Sequence, residues 1–146
     1  MPLLKVHYRH DPFLAHTAGV YTIHNMAFHG QFDPLRAMEF CGFPPSDFYE
    51  GSWYEHNGMF NAMKTGIMFA DKVTTVSPTY AQEIRWTTEG MGLQGALQSR
   101  SGDLIGVLNG IDMTQWNPCT DVHIPLAFAP ETMERKRVNK LALIRE

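Results

Sequence analysis

Three short apolar segments, separated by helical patterns, constrain the fold of this chain more than any other feature of its sequence. They are residues 20–23 (VYTI), 72–76 (KVTTV) and 104–108 (LIGVL), and they contain many of the β-branched residues that favour strands. Residues 20–23 are predicted to form a buried strand. Strands that alternate with helices favour a parallel sheet of β-α-β units over a sandwich. The sequence therefore predicts an α/β fold.

Helical patterns occupy much of the sequence between and after these strands. The predicted helices are a short one that starts near Pro34 and is closed by Gly42, then residues 59–70, 78 to about 85, 92–100 and 130–146. Ser77 is the predicted N-cap of the third helix, with Pro78 at its first position. Residues 3–9 fit a helix or a strand. Residues 30–58 are dense in Pro, Gly and aromatic residues, which predicts a long structured loop.

Polar residues follow the predicted strands, and the topology determines where they lie. If the crossovers share one hand, as in nearly all β-α-β units, the carboxyl ends of the strands meet at one edge of the sheet. This edge is where open α/β sheets bind ligands. We therefore expect a cleft lined by polar residues from distant segments, which are His24, Asn25, Ser77, Asn109 and Asp112. For a single strand-end histidine, pairing with a nearby carbonyl is the commoner role.

Length, composition and charge exclude several functional classes. The chain has 146 residues, 44% of them hydrophobic, and a formal net charge of -3, which fits one globular domain. Because charges of both signs are mixed, nucleic acid or an anionic membrane is not expected to be a main partner. No apolar run approaches the roughly 20 residues of a membrane-spanning helix. The first residues lack the features of a signal peptide.

Cysteines and histidines show no pattern of a metal site. Cys41 and Cys119 lie far apart without a CxxC motif, which fits a reducing compartment and no disulfide framework. His7, His10 and His16 share no helical register, so they are predicted to be solvated loop residues rather than zinc ligands. The sequence predicts no bound metal.

Four aromatic residues of the predicted loop leave two interpretations open. Phe48, Tyr49, Trp53 and Tyr54 fit a platform on which sugar rings stack, and equally a hydrophobic cluster beneath a long loop. Trp116 is expected to pack against other residues rather than to take part in chemistry.

Five blocks of sequence carry a resemblance to a known family. They are TIHNMAFHG at residues 22–30, MKTGIMFADKVTTVSPTYAQEI at 63–84, GMGLQGAL at 90–97, GVLNGID at 106–112 and WNPCTD at 116–121. In content and spacing they resemble bacterial glycogen synthases and plant-type starch synthases, the retaining glucosyltransferases that add glucose from a nucleotide sugar to an α-1,4-glucan. The family usually has Tyr and Gln where this chain has Phe28 and His29, so a hydroxyl and an amide near the glucan path are replaced.

The resemblance, which covers residues 20–146, implies a particular part of a larger fold. It implies a partial Rossmann-like parallel sheet with flanking helices, the later half of the N-terminal domain of a two-Rossmann-domain glycosyltransferase. Residues 1–146 are then part of a starch or glycogen synthase catalytic domain. The family's KxGGLxD motif and its C-terminal nucleotide-binding domain are expected to be absent from this chain.

The resemblance also implies roles for individual residues. His24 is implied to be the catalytic residue, against the donor glucose. Asn25 and Asn109 are implied to form hydrogen bonds to the sugar, and Asp112 and Tyr80 to bind substrate. Since the first three are not nucleophiles, retention is expected to proceed by departure and attack on one face, unlike the two-carboxylate glycosidases. No metal or other cofactor is implied.

The leading hypothesis is part of a cytoplasmic glucosyltransferase, or a plastid one in a plant. ADP-glucose is the expected donor, with UDP-glucose as the alternative, and an α-1,4-glucan is the acceptor. The chain alone is expected to be inactive. The competing hypothesis is a non-catalytic glucan-binding or regulatory remnant that uses the same cleft. An unrelated nucleotide-binding α/β domain is a third, weaker hypothesis, since no GxGxxG motif follows a strand.

The order of the strands predicts a weak point in the isolated chain. In doubly wound sheets the first strand is central and later strands build outward, so a chain with only later strands leaves residues 20–23 at an edge. That segment has no Lys, Pro or bulge to protect it. The chain is therefore expected to be aggregation-prone or partly molten.

Overall fold

The computed structural model describes residues 1–145 and divides them into two units, Met1–Asn109 and a second that begins at Gly110. The strands are β1 (Val20–Ile23), β2 (Gln31–Phe32), β3 (Glu55–His56), β4 (Met59–Asn61), β5 (Lys72–Thr75) and β6 (Leu104–Gly106). The α-helices are α1 (Pro2–Val6), α2 (Pro34–Cys41), α3 (Ala62–Phe69), α4 (Pro78–Trp86), α5 (Gln94–Ser99) and α6 (Lys136–Arg145). Short 3-10 helices span Pro45–Asp47, Thr88–Gly90 and Pro130–Arg135.

The first unit is built on a parallel sheet in the order β1-β5-β6. Ile23, Thr75 and Gly106 are neighbours in one row of this sheet, so the three strands end at the same level. The Thr75 hydroxyl donates to the Ile23 carbonyl (2.9 Å), and the Val107 N–H donates to the Thr75 carbonyl (2.7 Å). The predicted α/β fold, with a parallel sheet and flanking helices, is confirmed.

One buried apolar cluster joins the parallel sheet to α3, α4 and α5. Its members are Ile23, Met26, Met63, Ile67, Ala70, Val73, Ile84, Leu93 and Leu97. Burial of a large apolar side chain stabilises a fold by about 1.5–3 kcal/mol relative to leaving that side chain in water. Met26 belongs to the loop after β1, so the core also fixes the base of that loop.

The segment predicted to be a long loop forms a second, antiparallel sheet instead. β2, β4 and β3 pair in that order, and a second buried cluster joins this sheet to α2. Its members are Met38, Phe43, Tyr54 and Phe60. The loop prediction was wrong because strands of two or three residues are too short to show an alternating pattern.

The four aromatic residues of this segment fall into two pairs. Tyr54 is buried in the second cluster and Phe48 packs against it, so the cluster interpretation holds for these two. Tyr49 and Trp53 are 64% and 47% exposed. The Tyr49 ring is therefore available for stacking, whereas the Trp53 ring is only half exposed and makes an edge contact with Phe69, with 5.0 Å between ring centroids.

Several predicted helices are confirmed with small shifts of their ends. α2, α4 and α5 lie within the predicted segments, and residues 3–9, which fit either class, begin as helix α1. Ser77 is the N-cap of α4, because its Oγ accepts a hydrogen bond from the Tyr80 N–H (3.1 Å).

Three predicted boundaries were wrong. The helix predicted over residues 59–70 begins only at Ala62, because β4 occupies the first three positions and Asn61 caps the helix. The strand predicted over residues 104–108 ends at Gly106. The helix predicted over residues 130–146 is a 3-10 helix followed by α6, and the last residue of that prediction, Glu146, lies outside the described residues.

The second unit contains α6 and the 3-10 helix before it. The Asn139 side chain closes this unit by donating to the Leu126 carbonyl (2.8 Å) and accepting from the Leu126 N–H (2.9 Å). Trp116, which was predicted to pack, is 66% exposed in the described structure. Throughout residues 1–145, no helix has the length and apolar character needed to cross a membrane.

β1 lies at an edge of the parallel sheet, as expected from its place in the strand order. It pairs with β5 on one side, and no strand among residues 1–145 pairs with its other side. The prediction of a buried strand was wrong, since Ile23 alone in β1 is buried and Val20 is 57% exposed. Exposed apolar residues beside unpaired backbone groups form a template for intermolecular pairing.

We expect the 146-residue chain to self-associate through β1, and Val20→Glu to reduce this association. Val20 lies opposite Lys72 in the sheet, so a glutamate there adds a favourable cross-strand charge pair and places a charge on the free edge. Size-exclusion chromatography and dye binding measure the effect.

The control is Ile105→Glu, which changes an exposed residue of β6 at the opposite edge and should leave most of the association intact. A monodisperse wild-type monomer that unfolds cooperatively and binds no dye would contradict this prediction.

Candidate active site at the ends of the parallel strands

The candidate site begins where β1 ends, at the level shared by all three parallel strands. His24 and Asn25 follow β1 directly, and both side chains are exposed. The Asn25 Oδ1 accepts a hydrogen bond from the Ala27 N–H (2.8 Å), which orients the carboxamide and leaves its NH₂ group to donate to a ligand. The first two predicted site residues therefore present an imidazole and an amide at the edge where ligands bind to open parallel sheets.

Met26 and Tyr80 hold the loop that carries these two residues. The Met26 side chain lies in the core with 1% of its surface exposed. The Met26 N–H donates to the Tyr80 hydroxyl oxygen at 3.3 Å. Tyr80 stands in the first turn of α4, which Ser77 caps, so α4 supports the loop after β1. Tyr80 thus contacts the loop that carries His24 and Asn25, and its binding of substrate stays a prediction.

Gly106 brings the end of β6 against the start of α4. A Cβ atom at this position would overlap the backbone of Ser77 and Pro78. The first glycine of the GVLNGID block therefore has a packing role, since no larger residue fits so close to a neighbouring backbone.

Asn109 and Asp112 lie beyond β6 and belong to different units. Asn109 is exposed and is the last residue of the first unit, three positions after β6 ends. Asp112 belongs to the second unit, where its Oδ1 accepts from the N–H groups of Thr114 (2.8 Å) and Gln115 (3.2 Å). These two hydrogen bonds lower the pKa of the Asp112 carboxyl. The contribution of Asp112 to the site stays a prediction.

Asn61 and His29 form a side-chain pair that was not predicted from the sequence. Asn61 is completely buried, and its Nδ2 lies 3.2 Å from the Nδ1 of His29. Burial, followed by the nearby His56, holds the pKa of His29 below its usual value. An Asn before a helical stripe is a capping signal, but the apolar Met59 and Phe60 continue the stripe and hide the helix start.

The histidines near the N-terminus do not converge. The His7 ring stacks on Phe43, and its Nε2 lies 2.9 Å from the Cys41 carbonyl oxygen. The His10 Nε2 accepts from the Arg9 Nε (2.8 Å), and His16 is exposed. In the described part of the chain, no three His, Cys, Asp or Glu side chains are grouped so that they could hold a metal ion.

We expect Tyr80→Phe to loosen the loop that carries His24. The change removes the acceptor of the Met26 N–H, and the loss of this hydrogen bond should lower the free energy of unfolding by about 0.5–1.5 kcal/mol. Hydrogen exchange at Met26 should become faster. Tyr49→Phe, at an exposed tyrosine, is the control, and an unchanged exchange rate in Tyr80→Phe would rule out this role.

Comparison with known proteins gives a consistent result. Residues 1–99 match the family described as "Starch synthase catalytic domain". The glycogen synthase of Pseudothermotoga lettingae is 46% identical over 143 residues, which cover 98% of this chain and 29% of that protein. Glycogen synthase 2 of Geobacter sulfurreducens is 43% identical over 144 residues, which cover 99% of this chain and 29% of that protein.

A solved structure shares the fold. The catalytic domain of starch synthase IV from Arabidopsis thaliana, bound to ADP and acarbose, is similar to this chain with a TM-score of 0.74 and 34% identity, covering 97% of this chain and 29% of that one. The chain thus spans less than a third of the length of these relatives. The resemblance inferred from the five sequence blocks is confirmed. The chain belongs to the starch synthase catalytic-domain family, together with the glycogen synthases that it resembles.

Proposed function

We propose that this chain is part of an enzyme that transfers glucose, with retention, from ADP-glucose to the non-reducing end of an α-1,4-glucan. The observation that supports this most is the exposed His24–Asn25 pair at the end of β1, in a chain 46% identical to a glycogen synthase. The similar starch synthase IV, whose structure holds ADP and acarbose, supports a nucleotide and a glucan as ligands. We assign residues 1–146 to part of the N-terminal catalytic domain and most of the nucleotide site to sequence outside this chain.

In the proposed reaction, the bond between the anomeric carbon of glucose and the diphosphate breaks as the acceptor hydroxyl adds. Positive charge develops on the sugar ring and negative charge on the departing ADP, so groups that bind the separated charges more tightly than the ground state accelerate transfer. His24 lies against the donor glucose. Asn25 and Asn109 form hydrogen bonds to its hydroxyls, and Tyr80 and Asp112 contribute to substrate binding.

Retention follows from attack on the face that the diphosphate leaves. No Asp or Glu stands in the two positions after β1, β5 or β6, whereas retaining glycosidases use a carboxylate nucleophile and a second carboxyl group. A phosphate oxygen of the leaving group then accepts the proton of the acceptor hydroxyl. The proposal assigns no metal or other cofactor to this step, and it places the enzyme in the cytoplasm.

A glucan-binding remnant without catalysis is the second candidate. The exposed rings of Tyr49 and Trp53 favour it, because aromatic rings stack on the apolar faces of sugars. The two candidates differ in a chimaera in which this segment replaces the matching segment of the Pseudothermotoga lettingae glycogen synthase. A catalytic segment supports transfer there, whereas a remnant retains glycogen binding and supports none.

We expect the 146-residue chain by itself to transfer no glucose. Donor and acceptor must be held in reactive geometry, and that positioning supplies a large part of the barrier reduction. The chain spans 29% of the similar glycogen synthase, so we expect it to supply only part of that positioning. Purified chain is incubated with radiolabelled ADP-glucose and glycogen. Incorporation of label above a blank without enzyme would contradict this prediction.

We expect His24→Ala in the chimaera to lower kcat by about 100-fold or more, with a much smaller change in the KM for ADP-glucose. The reason is that contacts with the sugar that strengthen as charge develops act on the transition state rather than on the bound substrate. His16→Ala, at an exposed histidine before β1, is the matched control and should leave both constants unchanged. A raised KM with an unchanged kcat in His24→Ala would exclude a catalytic role.

A further inference from the structure

We propose that His29 is a positioning residue whose neutral ring holds the loop carrying His24 and Asn25 on the N-terminus of α3, and whose protonation loosens that loop. The proposal rests on the proposed function in one respect, the importance of His24. The pH-dependent attachment itself rests on the contacts of His29, Gly30 and Asn61.

The end of the loop is docked on α3 through its backbone. The Met63 N–H donates to the His29 carbonyl, and the Ala62 N–H donates to the Gly30 carbonyl, both at 2.9 Å. Gly30 has a positive φ of 63°, and a Cβ atom there would lie 3.1 Å from the Ala62 Cβ. Two of the N–H groups that a helix leaves unpaired at its start thus bind the segment that follows His24 and Asn25.

Asn61 determines which atom of the His29 ring carries the proton. Its Oδ1 accepts from the Lys64 N–H (2.8 Å) as the N-cap of α3, which directs its Nδ2 toward the His29 Nδ1 (3.2 Å). An amide nitrogen only donates, so the His29 Nδ1 must accept. We infer that the ring is neutral, with its proton on Nε2, a buried atom that has no hydrogen-bond partner among the described residues.

Protonation of His29 at Nδ1 places an N–H donor opposite the Asn61 Nδ2, which is also a donor. Asn61 has no exposed surface, so it has no route to solvent, and a flip of its amide would break the cap of α3. Either outcome breaks a hydrogen bond of the buried Asn61. An unpaired buried donor destabilises a fold by more than an ordinary hydrogen bond stabilises it. The attachment of the loop to α3 thus depends on a neutral His29.

The groups around His29 do not all act in the same direction on the charge of its ring. The His56 ring on β3 lies 5.9 Å away between ring centroids in an edge contact, and a charge on it opposes a second charge on His29. Beside it, the Glu55 carboxylate is bound by the N–H groups of Gly51 and Gly58 (both 2.8 Å), and the Lys64 ammonium donates to the Glu55 carbonyl. The Met26 carbonyl favours the protonated form of His29.

The pKa of His29 lies below its usual value, because burial and then His56 disfavour the charged ring. An unfolded histidine titrates at about pH 6.5. The stabilisation that the neutral ring provides is therefore complete above that pH, and it is lost as the pH falls from there toward the folded pKa.

The chain offers a conservative variant that separates attachment from titration. Glutamine has a carboxamide oxygen that can accept from Asn61 and cannot be protonated in this range. His29→Gln should therefore retain the attachment at every pH. His16→Gln removes an exposed histidine elsewhere and is the matched control.

Hydrogen exchange followed by mass spectrometry tests the proposal at low protein concentration, where self-association is slight. Exchange of residues 24–30 and 62–64, corrected for the intrinsic effect of pH, is compared at about pH 8 and about pH 5. In the wild type and in His16→Gln, protection from exchange should fall about tenfold at the lower pH. In His29→Gln it should change little. An equal loss in His29→Gln, or no loss in the wild type, would overturn the proposal.

Asn61→Asp provides a test of opposite sign. An aspartate keeps the cap of α3 but presents an acceptor to the His29 Nδ1, so the ring should take up a proton there and its pKa should rise by about one unit or more. Nuclear magnetic resonance of the ring nitrogens measures this shift and shows the wild-type tautomer directly.

An unchanged or lower pKa in Asn61→Asp, or a neutral wild-type ring with its proton on Nδ1, would overturn the proposal. The tautomer decides the matter if the variant does not fold. None of these measurements uses a nucleotide sugar, so their failure leaves the proposed glucosyl transfer standing. A failed His24→Ala prediction would in turn leave the pH-dependent attachment standing.

Discussion

The parallel pairing of β1 with β5 is the interaction on which the rest of the structure depends. Ile23 lies opposite Thr75, and the Thr75 hydroxyl donates to the Ile23 carbonyl. A slip of one residue would turn Ile23 from the core to solvent, because side chains in a strand alternate between faces. Burial of Ile23 and Val73 therefore determines not only the sheet but also the point at which the chain leaves it, and so the position of His24.

The loop after β1 is short and held at both ends. Met26 is buried in the core and bonded to Tyr80, while the backbone of His29 and Gly30 is bound by the first turn of α3. The exposed His24 and Asn25 stand on a backbone whose conformation is decided by these neighbours. Groups held in this way lose little conformational freedom when a ligand arrives, which is how a scaffold makes polar contacts effective.

Much of the sequence that carries the family resemblance is concerned with this scaffold. In the SPTY motif, Ser77 caps α4 and Tyr80 supports the loop after β1. In GVLNGID, Gly106 permits contact between β6 and the start of α4. The exposed side chains at the strand ends are few, and buried neighbours determine where they point. The blocks that carry the resemblance to glycogen synthases thus contain residues of the framework as well as candidate site residues.

The sequence alone determined those features that depend on neighbours along the chain. Local patterns of apolar and capping residues predict the three parallel strands, the Ser77–Pro78 helix start, the end of α2 at Gly42 and the placement of His24 and Asn25 at a strand end. The family was inferred from the resemblance of five sequence blocks. The tertiary structure alone decided the antiparallel sheet of residues 31–61, the start of α3 at Ala62 and the pairs Tyr80–Met26 and His29–Asn61. These pairs join residues more than 30 positions apart, and the short strands take their conformation from their partners. Such features depend on which distant groups folding brings into contact, and no periodicity along the chain records that.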